Sequence, residues 1–583
     1  MVDPITQEVV RHRLTAIADE MEMTLLRAAY SSIVKEGLDA SAAVFDHFGN
    51  NIAQAASIPI HLGCMIPAVE TVIAKWPVET MQDGDVYIMN DPYNGGTHLP
   101  DVSIIRPIFY LGRVIALAAT MSHHQEMGGM VPGSLPPNAT DIFQEGLQLP
   151  PMKLVDRGIQ NDNILEILER NVRTPTVVLG DLRAQMAACK LAADRISELA
   201  QELGDGQLAE IMTALLRQSD ILTRERISAM PDGTYEFTDY MDDDGVNRDK
   251  PVKIHATVTV AGDHLTFDFT GTADQVQGPF NCVPASSISA VYYVLRAVTG
   301  NDVPNNSGCY RSVDIVLPEG SLVNPKRPAP VNSRTATIRR ICDTLLGCFQ
   351  QILPDAIPAA SCGQLLVMNF GGLDPATGDY FIASELGVGG MGARPGKDGI
   401  DAIETDATNC MNVPAETIEM ESPVRVREWS ITQDSGGAGT WRGGCGTRKV
   451  FELTGGSASA NYRGERHTSS PWGVHGGHEA NTTRAYVERA ADGEVHHLPS
   501  KTMVNLGKGD LLTVELSGGG GYGDPLLRDP DLVLEDVANG RVSVAAASSS
   551  YGVAVEDGKV ETTATARLRG LARSAANTEG VRQ

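Results

Sequence analysis

The sequence predicts an α+β fold: an N-terminal mixed α/β region with a helical block (residues 1–230), a β-rich C-terminal half (231–525) and a partly mobile C-terminal tail (526–583). Three observations lead there. Apolar residues recur at the 3–4 spacing of amphipathic helices in two separate stretches. Between those stretches, from 39 to 122, short β-branched runs alternate with Gly, Pro and Asn turns. From Pro231 onward, glycine-punctuated alternating runs dominate.

The first helix covers residues 4 to 30, where Val10, Leu14, Ile17, Met21 and Leu25 make one stripe. Strands follow in ASAAVFD, GDVYIMND, VSIIRPIFYL and RVIALAATM. The helical period returns from 162 to 230, and Pro175, lacking an N–H and clashing with the preceding turn, is expected to interrupt it. After Pro231 a DG turn in PDGTYEFTDYM and an AGDH turn in KIHATVTVAGDHLTFDFTG mark hairpins. TATIRRICDTLLGCFQQ, 335 to 351, reads as one helix, and 365 to 524 as strands closed by SGGGGYGDP. Past Pro525 one short helix-like segment precedes a run of small and polar residues, which predicts partial mobility.

Composition excludes several functions. With 42% hydrophobic and 21% charged residues, 583 residues bury large cores. The 73 acidic against 47 basic residues leave a formal charge of −26, which repels phosphate backbones and anionic lipid, so neither nucleic acid nor membrane is an expected partner. Nine cysteines without a CxxC pair predict reduced thiols and a cytoplasmic location. No basic segment followed by an apolar one opens the chain, and its longest apolar runs, such as Val114 to Met121, fall far short of the roughly 20 residues that span a bilayer.

The densest polar cluster is NDPYNGGTHLPDV, Asn90 to Val102, with His98 and Asp101 three residues apart. A later strand ends in SHHQEMGG, which sets His123 and His124 beside a glycine turn. Three N/O ligands without a thiolate leave coordination positions open, the pattern of a catalytic zinc, manganese or iron site. Asp39 or Glu126 would add an oxygen, and His61 is a further candidate. The plainer reading is of ordinary loop histidines, and spacing alone leaves both standing. Glu145 follows closely and is a candidate proton relay; its plainer reading is a solvent-facing carboxylate. The histidines of GGHE and at 496 and 497 read as solvated, and SGGGGYGDP lacks the lysine and the following helix of a phosphate loop. No GxxxxGK[ST] or GxSxG occurs and no GxGxxG leads from a strand into a helix, so phosphoryl transfer, dinucleotide chemistry and nucleophile-elbow hydrolysis find no motif.

Read in order, EGLDASAAVFD, IPIHLG, NDPYNGGTHLPD, SHHQEMGG, EGLQLPPMK, DGTYEFTDYMDDDG, FTGTADQVQGPFN, GGMGARPGKDGIDA, VPAETIEMESPVRV, DSGGAGTWRGGCGTR and SPWGVHGGH resemble the hydantoinase B family from about residue 3 to 527. That family joins hydantoinase and oxoprolinase B-type subunits, caprolactamase-like lactam hydrolases and the large subunits of acetone and acetophenone carboxylases. The resemblance implies a hydantoinase A-type partner subunit that binds ATP and phosphorylates the substrate's carbonyl-derived oxygen. It also implies a divalent metal on His98, Asp101 and His123, with Asp39 as a further ligand. Two departures stand out: Glu126 replaces the aspartate usual before the two glycines, and Leu38 replaces the charged residue usual before Asp39. The implied activity is ATP-dependent hydrolysis of a cyclic amide (hydantoin, lactam or oxoproline) by a cytoplasmic hetero-oligomer, with Glu126, His124 and Glu145 as proton-transfer candidates. Its rivals are an ATP-dependent ketone carboxylase and, in another class, a non-catalytic scaffold for the partner.

Overall fold

The computed structural model describes residues 2–579. Helix α1 (Pro4–Ala28) starts where the Asp3 carboxylate accepts the Thr6 N–H, and it buries the expected stripe from Val10 to Leu25. The short α2 (Ser32–Lys35) leads into β1 (Ala40–Asp46) and β2 (Asn51–Gln54). Next comes α3 (Pro59–Lys75), inside a stretch that the sequence reading assigned to strands. Its sequence, PIHLGCMIPAVETVIAK, is apolar on most sides because the helix is wrapped by protein, so no 3.6-residue stripe shows, and Pro67 disguises it further.

Strands β3 (Val86–Met89), β4 (Asp101–Tyr110), β5 (Arg113–His123), β6 (Met152–Asp156) and β7 (Ile159–Gln160) complete a seven-stranded sheet in the order β2-β1-β5-β4-β3-β6-β7. Every pairing in it is antiparallel. The helical block follows as α4 (Asp162–Asn171), α5 (Pro175–Leu203) and α6 (Asp205–Ser228), and the expected break falls just before Pro175, which takes the first position of α5. α1 and α5 cover one face of the sheet and α3 the other. Strand parity shows it: Thr120 faces Cys189 of α5, whereas Ser41, opposite Met121, faces His61 of α3. Hence β1 is buried along its whole length.

The C-terminal half holds four-stranded, four-stranded and five-stranded sheets. Helices α7 (Pro284–Thr299) and α8 (Arg334–Ile352) bridge to the first half, with α7 against α3 and α8, and α8 against the strand Gly233–Met241. α8 lies where the sequence placed it; α7, whose Val, Tyr and Ser content reads as strand, does not follow from pattern alone. One apolar core runs from Val10 to Cys410, on both sides of the expected boundary at 230, and a second fills the space between the sheets of residues 366–516. The tail carries helices Pro530–Ala538, Val544–Tyr551 and Thr562–Glu579, and Val533, Val542 and Tyr551 pack with Ala438. SGGGGYGDP is a packing element: a Cβ on Gly519 would collide with the Met391 backbone. All nine cysteines are buried and unpaired, and among the described residues no helix is long and apolar enough to cross a membrane.

Candidate metal centre

Two of the site residues are brought together by strand register. β4 begins at Asp101, β5 ends at His123, and the hairpin between them pairs these two residues directly. Its tip uses positive φ at Leu111 and Gly112, the backbone of a tight hairpin turn, with one register shift between Ile108 and Phe109. His98 comes from the preceding loop, where Asp91 caps a turn at Pro92–Asn94. Gly95 has φ +85, and a Cβ there would lie 2.6 Å from the Pro67 carbonyl oxygen, so glycine lets this loop rest on α3.

The result is a tight triad. His98 Nε2 lies 2.9 Å from Asp101 Oδ1 and 3.1 Å from His123 Nδ1, and His123 Nδ1 lies 3.2 Å from the same carboxylate oxygen. Separations of this size are those of atoms each about 2.0–2.2 Å from one ion. His98 Nδ1 donates to the Asn332 carbonyl at 2.9 Å, which fixes the tautomer and leaves a lone pair on Nε2. Burial, reinforced by the Arg334 guanidinium, pushes His98 down to about 3, so the ring stays neutral, the ligand form. Burial opposes ionisation of Asp101, yet the Arg334 guanidinium, with His61 close by, holds it well below the usual carboxylate range. Its second oxygen accepts from Thr97 Oγ1 and Arg334 Nη2. The donor set and its orientation fit a divalent cation.

Asp39 and His61 line the same cleft, with His61 Nε2 3.6 Å from Asp39 Oδ1 and 3.5 Å from Asp101 Oδ1. The other expected residues lie outside it. His124 points to the α5 face, 2.9 Å from Gln185 Oε1. Glu126 accepts the N–H groups of Gly128 and Gly133 at 2.8 Å and pairs with Arg173 at 2.6 Å. Glu145 accepts the N–H groups of Val331 and Asn332, which places the Asn332 carbonyl on His98. None of the three lines the cleft formed by the described residues.

Sequence reasoning does not reach Asn332, Arg334 or Arg463, which line the same cleft. Asn332 lies just before the N-cap of α8, Arg334 begins that helix, and Arg463 ends the strand Ser457–Arg463. Their one trace in the sequence is a charged residue bordering an apolar run. The cleft is narrow, about 20 Å³, room for an ion or a water.

Burial pushes Glu145 up to about 8 despite the two amides it accepts. Between its unfolded value, near 4.5, and 8 the folded chain keeps a proton that the unfolded chain has lost. This contribution to stability is therefore full below 4.5 and fades as pH rises through 8. In Glu145→Gln, melting temperature should fall less between pH 5 and 8 than in the parent chain; parallel pH profiles for the two would contradict the assignment.

A family model described as Hydantoinase B/oxoprolinase matches residues 3–525. The chain is 34% identical over 576 residues to the B-type chain of a putative D-/L-hydantoinase from Pseudomonas sp. (strain NS671), covering 95% of this chain and 96% of that one. It is also 34% identical over 578 residues to the caprolactamase beta chain of Pseudomonas jessenii, covering 97% and 98%. The crystal structure of the ATP-dependent caprolactamase from that organism matches with a TM-score of 0.90 at 32% identity, over 98% of this chain and 100% of the other. A nucleotide-free acetone carboxylase matches with a TM-score of 0.92 over 99% of this chain and 84% of its own, a likeness of fold at 21% identity.

Proposed function

Because the chain belongs to the hydantoinase B/oxoprolinase family, we propose that it is the metal-bearing B-type subunit of an ATP-dependent cyclic amidase, acting on a substrate phosphorylated by an A-type partner. The observation that carries this reading is the triad: two ring nitrogens and one carboxylate oxygen about 3 Å apart, without a thiolate, bordering a cleft. Zinc, manganese or iron would be held by His98, Asp101 and His123, with Asp39 lining the same cleft, and would supply Lewis acidity and lower the pKa of water there.

Ring amides resist water. Transfer of the γ-phosphoryl group of ATP to the amide oxygen makes an imidate phosphate and releases ADP. Water then adds to that carbon and the ring nitrogen leaves with a proton, giving an acyl phosphate. A second water converts this to carboxylate and phosphate. ATP belongs to the partner in this scheme, in keeping with a sequence that has no GxxxxGK[ST] loop. Its own contribution is orientation: Asn332 fixes the His98 tautomer, and Arg334 with Thr97 fixes the Asp101 carboxylate.

The test is ATP turnover by the co-expressed pair with hydantoin, 5-oxoproline or caprolactam, against acetophenone with bicarbonate. Identity near 34% to the amidase-named relatives, against 21% to the carboxylase, favours the ring amides. Turnover with the ketone alone would replace this reading with the carboxylase. A chain purified without metal and inert toward every substrate would leave the scaffold.

A further inference from the structure

The cleft that the triad borders is also lined by two buried guanidinium groups, of which Arg334 pairs with Asp101 and Arg463 pairs with no carboxylate among the described residues. Arg463 is 8% exposed; its Nη2 donates to the Val367 carbonyl at 2.5 Å and its Nη1 makes a 3.4 Å contact with Ser333 Oγ. Its Nε has no partner, and no carboxylate among the described residues forms an ion pair with it. Arg334, 3% exposed, binds Asp101 and Thr335 and likewise leaves its Nε unpartnered. A buried cation without a counter-charge and a buried donor without an acceptor are both strongly unfavourable, and two like charges facing one cleft add to that. Burial first, then Arg334, push Arg463 down to about 9 against a smaller opposing pull from Glu145.

A third feature points the same way. Asn332, Arg334 and Thr335, at the start of the 19-residue helix α8, line the cleft, and the N-cap Ser333 makes no side-chain cap hydrogen bond. The positive end of the helix dipole therefore faces the same space.

We propose that Arg463, Arg334 and the first turn of α8 form a binding site for a phosphoryl group in the cleft that His98, Asp101 and His123 also line. This rests on the reading above and specifies which end of the activated substrate this chain grips. Guanidinium forks match tetrahedral oxyanions carrying about two charges better than they match a neutral ring. Held there, the phosphoryl group would place the adjoining imidate carbon toward the triad. The cleft must widen to admit it, and Arg463, anchored by one carbonyl and one long hydroxyl contact, has the least to break.

The test uses the full chain loaded with metal and calorimetric titration with inorganic phosphate, with acetate as the control anion. The parent chain should bind phosphate in preference to acetate. Arg463→Met should weaken phosphate at least about tenfold, since charge-assisted hydrogen bonds are lost. Metal content should stay unchanged, and the melting temperature should rise because a buried unpaired cation is gone. Arg463→Lys, which keeps the charge and so guards against misfolding of the first variant, should recover only part of the affinity. Equal affinity for phosphate in parent and Arg463→Met, or equal binding of acetate and phosphate by the parent, would overturn the site. The two readings fail separately: phosphate binding without ring-amide turnover sinks the amidase and spares this site, whereas turnover with Arg463→Met at parental KM does the reverse.

Discussion

Alanine at position 98 should leave a folded chain that still binds the proposed A-type partner but has lost the proposed metal and turnover together. The His98 ring supplies the one nitrogen that lies within 3.1 Å of both other ligand atoms, and its removal leaves Asp101 and His123 gripping an ion from one side. Loss of a residue that merely orients a ligand weakens metal binding about 10–100-fold; loss of the ligand itself should exceed that. The structural damage is smaller. One bond to the Asn332 carbonyl disappears, worth about 1–3 kcal/mol if that group is left bare, a loss that a core running from Val10 to Cys410 absorbs. Elemental analysis, circular dichroism and co-purification read the three outcomes. His124→Ala is the control: its ring faces Gln185 on the other side of β5, and the metal should remain. Stoichiometric metal and full turnover in His98→Ala would end the assignment.

The largest loss of stability should come from Arg340→Ala. This fully buried side chain of α8 lies 3.0 Å from Asp239, 3.8 Å from Asp343 and 3.7 Å from Glu465. Arg466 reaches Asp343 at 2.8 Å and Lys501 reaches Glu465 at 2.6 Å, so three cations hold three carboxylates from different parts of the chain. Burial already pushes Asp343 up to about 7 in spite of these partners. Removing one cation leaves a buried carboxylate uncompensated, an effect of about 3–5 kcal/mol. The urea midpoint should drop accordingly, and Asp239→Asn in the same chain should restore part of it, because the two groups share one network. An unchanged midpoint would mean that water reaches this network. The consequence extends to the cleft, since α8 also carries Arg334 at its start.

The sequence makes the site legible to the extent that its parts are local. The His98–Asp101 spacing and the HH pair at a strand end are visible because turn residues frame them, and the helices α1, α5, α6 and α8 show because each keeps one apolar stripe. α3 and α7 escape because surrounding protein on most sides erases that stripe. Glu126 and Glu145 look available in sequence, but backbone amides and Arg173 have already claimed their oxygens, and only tertiary contacts show this. Arg463 is the reverse case: it is 365 residues from His98 in sequence and enters the same cleft only after the C-terminal sheets pack onto the first.

The β4–β5 hairpin has one more implication. Asp101 and His123 face each other at its open end, while Leu111 and Gly112 turn the chain at the far end. Growth or shrinkage of the ribbon by a matched pair of residues on each strand would carry the tip outward or inward and leave the chemistry where it is. A single unmatched residue would instead roll one strand over and turn its ligand toward α5. Among relatives, the count of amino acids separating these two positions should therefore drift in even steps, governed by the pleat and indifferent to the ion.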